Sequence, residues 1–339
     1  MIFFYIYLLL VTLLSLISKK NGILLNFSGD VHQSFSNEKN IPLIGGLFIL
    51  IPIVFFLKGP LINFFVISIY LIGFFSDRKI LVSPKKRFLI QCLLILLFVE
   101  IFDVKINSSR VELFDLFLNN QFFTIFFSTF CLLILINGSN FIDGLNGLLI
   151  SSIIIILFML TKLNLIDNLI ISKQSIILIM LILILLLLLN IFNVLMLGDS
   201  GAYLLGFFIG FLIIDSHRNN PDISPYFFIS LVWYPCFENL FSILRKLNRD
   251  FSPLKPDSKH LHQLVLFFLT KKFDHKLILS NNLSSGIICF FNFLIIHIST
   301  LNPGSTIFQV KLITISIIFY IVSDMILFKF YKSSLMFKK

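Results

Sequence analysis

Charged residues are scarce in this chain. They make up 13% of its 339 residues, whereas hydrophobic residues make up 58% and include 43 phenylalanines. Soluble domains carry about 25% charged residues, so this composition excludes an ordinary soluble domain and predicts a polytopic membrane protein. The net charge of +10 does not indicate nucleic acid, because basic residues in a membrane protein report its topology. No nucleic-acid partner is therefore expected.

Paired cysteines and alternating strands are also missing. The four cysteines each lie inside an apolar run, and no pair has metal or redox spacing: Cys92, Cys131, Cys236 and Cys289. They are expected to be small buried hydrophobes. Continuous apolar runs favour helices over a transmembrane barrel. With no internal repeat and no soluble segment, residues 1–339 are predicted to form one membrane-embedded domain.

Eleven apolar segments approach the length of about 20 residues that a membrane-spanning helix needs. An all-α fold of about eleven spans is therefore predicted, with ten as the alternative. The first segment lacks a basic start and an A-x-A site, and we expect it to be a retained span. The segments are 1–18, 41–57, 61–75, 88–102, 122–136, 145–160, 175–192, 201–215, 226–244, 283–298 and 310–330.

Basic residues are distributed unevenly between the gaps. Sixteen lie in odd-numbered gaps and six in even-numbered gaps. Because positive charge is enriched in cytoplasmic loops, the odd gaps and the C-terminus are predicted to be cytoplasmic and the N-terminus outside.

Five polar patches fall in the odd-numbered gaps, so they would meet on one membrane face. Such a face is typical of an enzyme that works at the membrane surface. The patches centre on Lys39, Asp77, Asn140/Asp143, Asp199 and His260/His262.

The densest patch is N-G-S-N-F-I-D-G-L-N-G-L, residues 137–148. Its polar side chains recur every third residue and would share one helix stripe, while its glycines allow close approach or a local break. A simple polar turn between two spans is the alternative. The stripe consists of Asn137, Asn140, Asp143 and Asn146.

The second patch is G-D-S-G, residues 198–201. Asp199 could hold a divalent cation through oxygen ligands, and the N–H groups of the following helix could receive phosphate oxygens. Alternatively, Asp199 or Ser200 caps a helix that begins at Gly201. Gly206 and Gly210 in the next span predict close helix packing.

The remaining patches are less specific. Asp77 precedes five basic residues that could attract a lipid phosphate or simply mark topology. His260 and His262 would share a face only on irregular backbone; without cysteine or a nearby glutamate they make a poor zinc site but suit phosphate, unless they are inert. Lys39 precedes Pro42, Gly45 and Gly46, which predict close packing at the start of a span.

In combination, these motifs resemble the polyprenyl-phosphate N-acetylhexosamine-1-phosphate transferases, the superfamily of MraY and WecA. The resemblance runs from about residue 30 to 264. It rests on the family patterns P-x-x-G-G, N-x-x-N-x-x-D-G-x-x-G-L, G-D-x-G and P-x-x-x-H-x-H at residues 42–46, 137–148, 198–201 and 256–262.

This resemblance implies a magnesium-dependent transfer, with manganese as an alternative ion, from a UDP-N-acetylhexosamine to polyprenyl phosphate with release of UMP. It implies that Asp199 is the metal ligand and that Asp143, Asn140 and Asn146 hold nucleotide or metal-bound water. It also implies that Asp77 and Ser76 lie beside the lipid phosphate and that Asn137 binds substrate. The remaining implied contacts are those of His260 and His262 with the diphosphate and of Lys39 with a phosphate.

Three positions depart from the family pattern. Ser76-Asp77 stands where the family has paired aspartates, Asn146 where many members have a second aspartate, and Gln263 where several have a third histidine. The chain also lacks the H-H-H-F-E string of the peptidoglycan branch. The resemblance thus favours the branch that initiates O-antigen, capsule or other surface glycans at the bacterial inner membrane, with UDP-GlcNAc as donor; a homodimer is left open.

Two other interpretations remain. A catalytically impaired homologue with a scaffold role is suggested by the three departures. A transporter would place ionisable groups near the bilayer midplane, whereas the acids here lie at span ends, with Glu238 inside the ninth segment as an exception.

Overall fold

The predicted all-α fold is confirmed. The computed structural model describes residues 2–22, 24–25, 41–166, 170–247, 259–273 and 277–336, and within these ranges the only extended pairing is an isolated bridge between Leu25 and Pro42. The helices in the same ranges are α1 (Ile2–Asn21), α2 (Gly45–Phe56), α3 (Pro60–Asp77), α4 (Pro84–Ile101), α5 (Glu112–Leu118), α6 (Gln121–Ile142), α7 (Leu148–Lys162), α8 (Lys173–Ile191), α9 (Gly198–Asn219), α10 (Pro225–Leu231), α11 (Trp233–Leu247), α12 (Leu261–Phe273), α13 (Leu277–Ser299) and α14 (Thr306–Met336).

Long apolar helices make this a multi-pass membrane protein. Six helices in the described residues are long and apolar enough to span a bilayer: α3, α6, α8, α9, α13 and α14. A seventh span is formed if α10 and α11, which meet at a bend of 79°, are counted together. Every predicted segment overlaps a helix, but the count of eleven spans stays a prediction.

The central helix is α9, which packs against α2, α3 and α6. Its close contact with α6 depends on glycine: a Cβ atom on Gly206 would lie 2.8 Å from the Cα atom of Ile136, and one on Gly210 would lie 2.6 Å from a Leu132 methyl carbon. The packing role predicted for these two glycines is therefore confirmed.

The start of α9 is also approached closely by α2 and α3. The Gly45 N–H donates to the Met196 carbonyl at 2.9 Å, and a Cβ atom on Gly46 would lie 2.6 Å from the Gly201 nitrogen. Gly73 of α3 faces the Ser200 backbone with no room for a Cβ atom. The predicted close packing at Gly45 and Gly46 is confirmed, and the start of α9 and the end of α3 lie at the same end of the bundle.

Even-numbered gaps meet at the opposite end. The Arg110 guanidinium donates to the carbonyls of Pro221 and Gly304, both at 2.7 Å, and Arg218 forms an ion pair with Asp103 at 3.4 Å. Alternate gaps thus share one end of the molecule, as the sequence predicted. Which end faces the cytoplasm stays a prediction.

Candidate active site

Asp77 ends α3 directly against the start of α9. Its two carboxylate oxygens accept hydrogen bonds from the backbone N–H groups of Asp199 and Ser200 at 2.8 and 3.0 Å. The expectation that Asp199 or Ser200 caps a helix that begins at Gly201 is wrong, whereas phosphate binding at the start of this helix stays a prediction. The helix begins at Gly198, and a carboxylate from another helix satisfies its first donors, as a capping side chain does.

Gly198 makes this capping contact possible. Its φ of +73° is a conformation that glycine adopts without strain. A Cβ atom at this position would lie 2.7 Å from an Asp77 carboxylate oxygen. Any side chain here would therefore push the two helix ends apart.

Asp199 forms a three-residue cluster with Ser76 and Arg87. The Arg87 guanidinium lies 2.8 Å from Asp199 Oδ2, and the Ser76 hydroxyl donates to the same oxygen at 2.5 Å. Arg87 also donates to the Ser76 hydroxyl. Ser76 therefore lies against the predicted metal ligand. Arg87, one of the five basic residues expected either to attract a lipid phosphate or to mark topology, is thus part of this cluster.

Asp143 is a third carboxylate at this end of the bundle. It follows the last residue of α6 and is half-buried; none of the described residues forms a hydrogen bond or an ion pair with it. Burial and the negative charges of Asp199 and Asp77 raise the pKa of Asp143 well above its usual value. Asp143 thus lies close enough to Asp77 and Asp199 for their negative charges to repel, an arrangement that a bound cation would relieve.

The oxygen donors of this cluster fit a hard divalent cation. No group of three acidic, histidine or cysteine side chains in the described part of the chain is arranged as a complete ligand set. Magnesium, however, is often held by one or two carboxylates, with waters and substrate phosphates completing its coordination. Asp199 and Asp143 are the residues that could hold such an ion, because Asp77 is engaged at the start of α9.

The four side chains of the N-x-x-N-x-x-D-x-x-N stripe are separated. Asn137 and Asn140 lie on α6 and donate to the Leu133 carbonyl at 2.9 Å and the Tyr203 hydroxyl at 3.4 Å. Asn146 lies beyond the end of the helix, and its amide donates to Asn193 Oδ1 at 2.6 Å. The single stripe is not formed, because α6 ends at Ile142 and the chain turns through Gly144 and Gly147, whose φ is +75°.

The two histidines face each other at the start of α12. Their rings are parallel within 6°, with centroids 5.4 Å apart; His260 precedes the helix, so two residues of separation suffice. His262 is fully buried, and neither ring nitrogen has a hydrogen-bond partner in the described residues. A Cβ atom on Gly144 would lie 3.0 Å from His262 Nε2, so His262 borders the turn that follows Asp143.

Four of the five predicted patches therefore lie at one end of the bundle. The fifth, at Lys39, lies outside the described residues. A family model described as glycosyl transferase family 4 matches residues 60–217, the part of the chain that supplies the three carboxylates. The match covers less than half of the chain, which is therefore similar to glycosyl transferase family 4 over these residues.

Three proteins similar to this chain share one name. The chain is 24% identical over 231 residues to an undecaprenyl-phosphate alpha-N-acetylglucosaminyl 1-phosphate transferase from Thermotoga maritima, covering 68% of this chain and 69% of the relative. Proteins of the same name from Salmonella typhi and Escherichia coli K12 are 30% and 27% identical over 71 residues, 21% of this chain and 19% of each relative.

One functional candidate lies outside the family match and was not identified as a site residue from the sequence. Glu238 is fully buried in α11, and its carboxylate lies 2.8 Å from His260 Nδ1. The histidine pair thus has a nearby glutamate, contrary to expectation. The available signal was a single acid inside an otherwise apolar segment, a feature that in membranes marks a functional residue.

Proposed function

We propose that the protein transfers N-acetylglucosamine-1-phosphate from UDP-GlcNAc to undecaprenyl or another polyprenyl phosphate and releases UMP. The reaction takes place on the cytoplasmic face of a bacterial inner membrane and starts a lipid-linked surface glycan such as O-antigen or capsule. The family match over residues 60–217 and the names of the similar proteins support this class of reaction. The observation that carries the proposal is the convergence of Asp77, Asp143, Asp199 and His262 at one end of the bundle.

The reaction needs little covalent participation by the protein. An oxygen of the lipid phosphate attacks the sugar-linked phosphorus, the bond from that phosphorus to UMP breaks, and UMP leaves with the electron pair. A phosphate monoester has a second pKa of about 6, so the lipid phosphate is largely ionised at neutral pH. A general base is therefore dispensable, which makes Ser76 acceptable where relatives of the superfamily have an acid.

The chain's own residues position charge around the phosphates. Arg87 and the Ser76 hydroxyl supply donors beside Asp199. Neutral His262 can donate one N–H, because burial lowers its pKa to about 3. The capping bond of Asp77 fixes the distance between the α3 and α9 ends. These groups act by electrostatic preorganisation, which is the main source of catalysis in phosphoryl transfer.

Asp199 and Asp143 would hold magnesium, which offsets negative charge on the diphosphate when bound. Manganese would fit the same oxygen donors. Asn137 and Asn140 line the site from α6 and would bind the nucleotide. Asn146 is engaged by Asn193, and its role in this proposal is to hold the turn after Asp143.

A second candidate is an impaired family member with a scaffold role. One observation favours it: Arg87 pairs with the oxygen of Asp199 that a metal ion would need. In a catalytic site Arg87 assists the reaction, whereas in an impaired one it blocks the ligand.

The test is UMP release by purified protein in detergent, with UDP-GlcNAc, undecaprenyl phosphate and magnesium. Release should require all three components and fall at least about a hundredfold in Asp199→Asn. Asp222→Asn changes an exposed carboxylate at the opposite end of the bundle and should leave the rate unchanged. Folded protein that is silent with UDP-GlcNAc and with other UDP-sugars would contradict the proposal.

Substitutions of two arginines in the gap between α3 and α4 distinguish the active transferase from the impaired family member. Arg87→Gln should abolish most UMP release if the residue assists catalysis. Arg78→Gln alters an arginine that lies over the Phe74 ring and should remain active. A higher rate in Arg87→Gln than in the wild type would instead support the blocked site.

A further inference from the structure

Glu238 is a fully buried carboxylate with two hydrogen bonds. One oxygen lies 2.8 Å from His260 Nδ1, and the other accepts from the Tyr320 hydroxyl at 2.7 Å. Burying a carboxylate within a helix bundle costs several kcal/mol unless its partners compensate. An apolar residue would fill the same space without that cost, so packing alone does not account for a glutamate here.

The contact with Glu238 restricts His260. Because the carboxylate accepts a hydrogen bond from Nδ1–H, the ring carries a hydrogen on Nδ1 and Nε2 is the nitrogen left for the substrate. Nε2 donates to a diphosphate oxygen when the ring holds a second proton and accepts a hydrogen bond when the ring is neutral. The ring is further held between two aromatic neighbours: its centroid is 5.4 Å from that of His262 and 5.2 Å from that of Phe141. Phe141 lies two residues before Asp143, so the His260 ring packs against the segment that carries one of the three carboxylates.

Tyr320 brings the last helix into this arrangement. Its ring lies against Phe237 and Phe241, with centroids 5.0 and 5.4 Å away. One turn further along α14, Asp324 forms an ion pair with Arg245 at 3.7 Å. α14 is therefore anchored to α11 at Glu238 and again at Arg245.

The backbone before the histidine pair is fixed by the same helix. Arg245 donates to the carbonyl of Lys259, the residue before His260, at 2.6 Å. Two residues of α11 thus fix His260: Arg245 bonds to the preceding peptide, and Glu238 bonds to the ring. Each of them also contacts a residue of α14.

We propose that Glu238 and Tyr320 are positioning residues for the transferase: Glu238 keeps the Nδ1 hydrogen and the ring orientation of His260, so that Nε2 is presented to the diphosphate as a donor once it is protonated, and Tyr320 fixes Glu238. The inference rests on the proposed function for its substrate. Neither residue touches the reacting atoms. Their effect is on how well His260 is aligned in the transition state.

The first test is the kinetics of Glu238→Gln and Tyr320→Phe. Both substitutions keep the size of the side chain. We expect Glu238→Gln to lower kcat by about ten- to a hundredfold, Tyr320→Phe to lower it less, and neither to change KM for the UDP-sugar appreciably. Because Tyr320 acts through Glu238, the double variant should be no slower than Glu238→Gln alone.

The matched control is Tyr331→Phe on the same helix. The Tyr331 ring packs on Phe267 with centroids 4.9 Å apart, and its hydroxyl has no hydrogen bond to the described residues. This variant should retain wild-type kcat. Loss of thermal stability in Glu238→Gln and Tyr320→Phe with unchanged kcat would reduce the cluster to a structural role and overturn the proposal.

The second readout does not depend on activity. In protein labelled with ¹⁵N-histidine, the His260 signals, identified from their loss in His260→Gln, should show Nδ1 protonated in the wild type. They should shift towards the other tautomer in Glu238→Gln and, less, in Tyr320→Phe. Unchanged signals in both variants would overturn the proposal. If the His260 signals shift in Glu238→Gln but the wild-type protein releases no UMP, the positioning of His260 by Glu238 is supported and only the transferase proposal is contradicted.

Discussion

The stability of the protein should depend on pH through His262, which is fully buried and has no hydrogen-bond partner among the described residues. Burial lowers its pKa to about 3, whereas an exposed histidine in the unfolded chain titrates at about 6.5. Between these two pKa values the unfolded state binds a proton at His262 and the folded state does not. The contribution of His262 to the free energy of unfolding is therefore fully present above the unfolded pKa and is lost as the pH falls below it. The slope from this one group is about 1.4 kcal/mol per pH unit.

We therefore predict that His262→Gln unfolds with a weaker pH dependence than the wild type. The measurement is the melting temperature in detergent at a series of values from about pH 7 to about pH 4, a range that includes the unfolded pKa. His297→Gln, which alters an exposed histidine of α13, should keep the wild-type dependence. Parallel curves for wild type and His262→Gln would contradict the prediction.

Individual site residues were predictable where their chemistry is unusual for a membrane segment. Asp199 and the histidine pair stand out in an apolar chain, and the structure brings them to one end of the bundle. The capping role of Asp77 was not predictable, because the donors it satisfies lie on a helix more than a hundred residues away. The contact of Arg87 with Asp199 was not predictable, because five basic residues follow Asp77 and topology alone accounts for their charge.

The close contacts of α9 with its neighbouring helices depend on glycine residues, which have no side chain to keep the backbones apart. At Gly206 an added methyl group would meet the α6 backbone, and backbone cannot yield as a flexible side chain can. Overpacking of this kind costs about 1–3 kcal/mol. Gly286 on α13 offers the opposite case, since nothing lies within 4 Å of a Cβ atom built there.

We predict that Gly206→Ala lowers the free energy of unfolding by about 1–3 kcal/mol. Gly286→Ala should leave it unchanged or raise it by about 0.5–1 kcal/mol, because alanine restricts the unfolded chain and favours helix. Thermal unfolding of both variants in the same detergent decides the matter. If the two alanine variants were equally stable, the close α6–α9 contact would not be a determinant of stability.

At the level of helices, hydropathy predicted where apolar helices lie but not where they bend. The ninth predicted segment is two helices, because Pro235 lacks the N–H that would bond to the Leu231 carbonyl; α10 ends at Leu231 and α11 starts two residues later. Hydropathy averages over such a bend. The short α5 and α12 were missed for a different reason, since they lie in gaps and do not have the length of a span.

The whole molecule has two chemically different ends. One carries Asp77, Asp143, Asp199 and the His260/His262 pair. At the other, Arg110 and Arg218 bind neighbouring loops. If the positive-inside assignment is correct, the first end faces the cytoplasm, where nucleotide sugars are made. The fold alone is the same in either orientation, so orientation follows from charge distribution and not from packing.

We predict opposite labelling of two cysteine variants in intact cells. Asp222→Cys should react with a membrane-impermeant maleimide added outside, and Lys86→Cys should react only after the membrane is permeabilised. The wild type, with its four cysteines in apolar helices, gives the background. Labelling of Lys86→Cys from outside would place the candidate active site on the other face.

The hydrogen bond between Tyr320 and Glu238 joins residues 82 positions apart, and this separation sets an order of events during synthesis. When α11 enters the bilayer, its buried carboxylate still lacks the tyrosine that accompanies it in the finished protein. Only after α14 has left the ribosome and been inserted can the partner arrive. Until then a chain that already contains Asp77, Asp143, Asp199 and the His260/His262 pair has an incompletely braced His260, so the proposed site is complete only once α14 has been inserted.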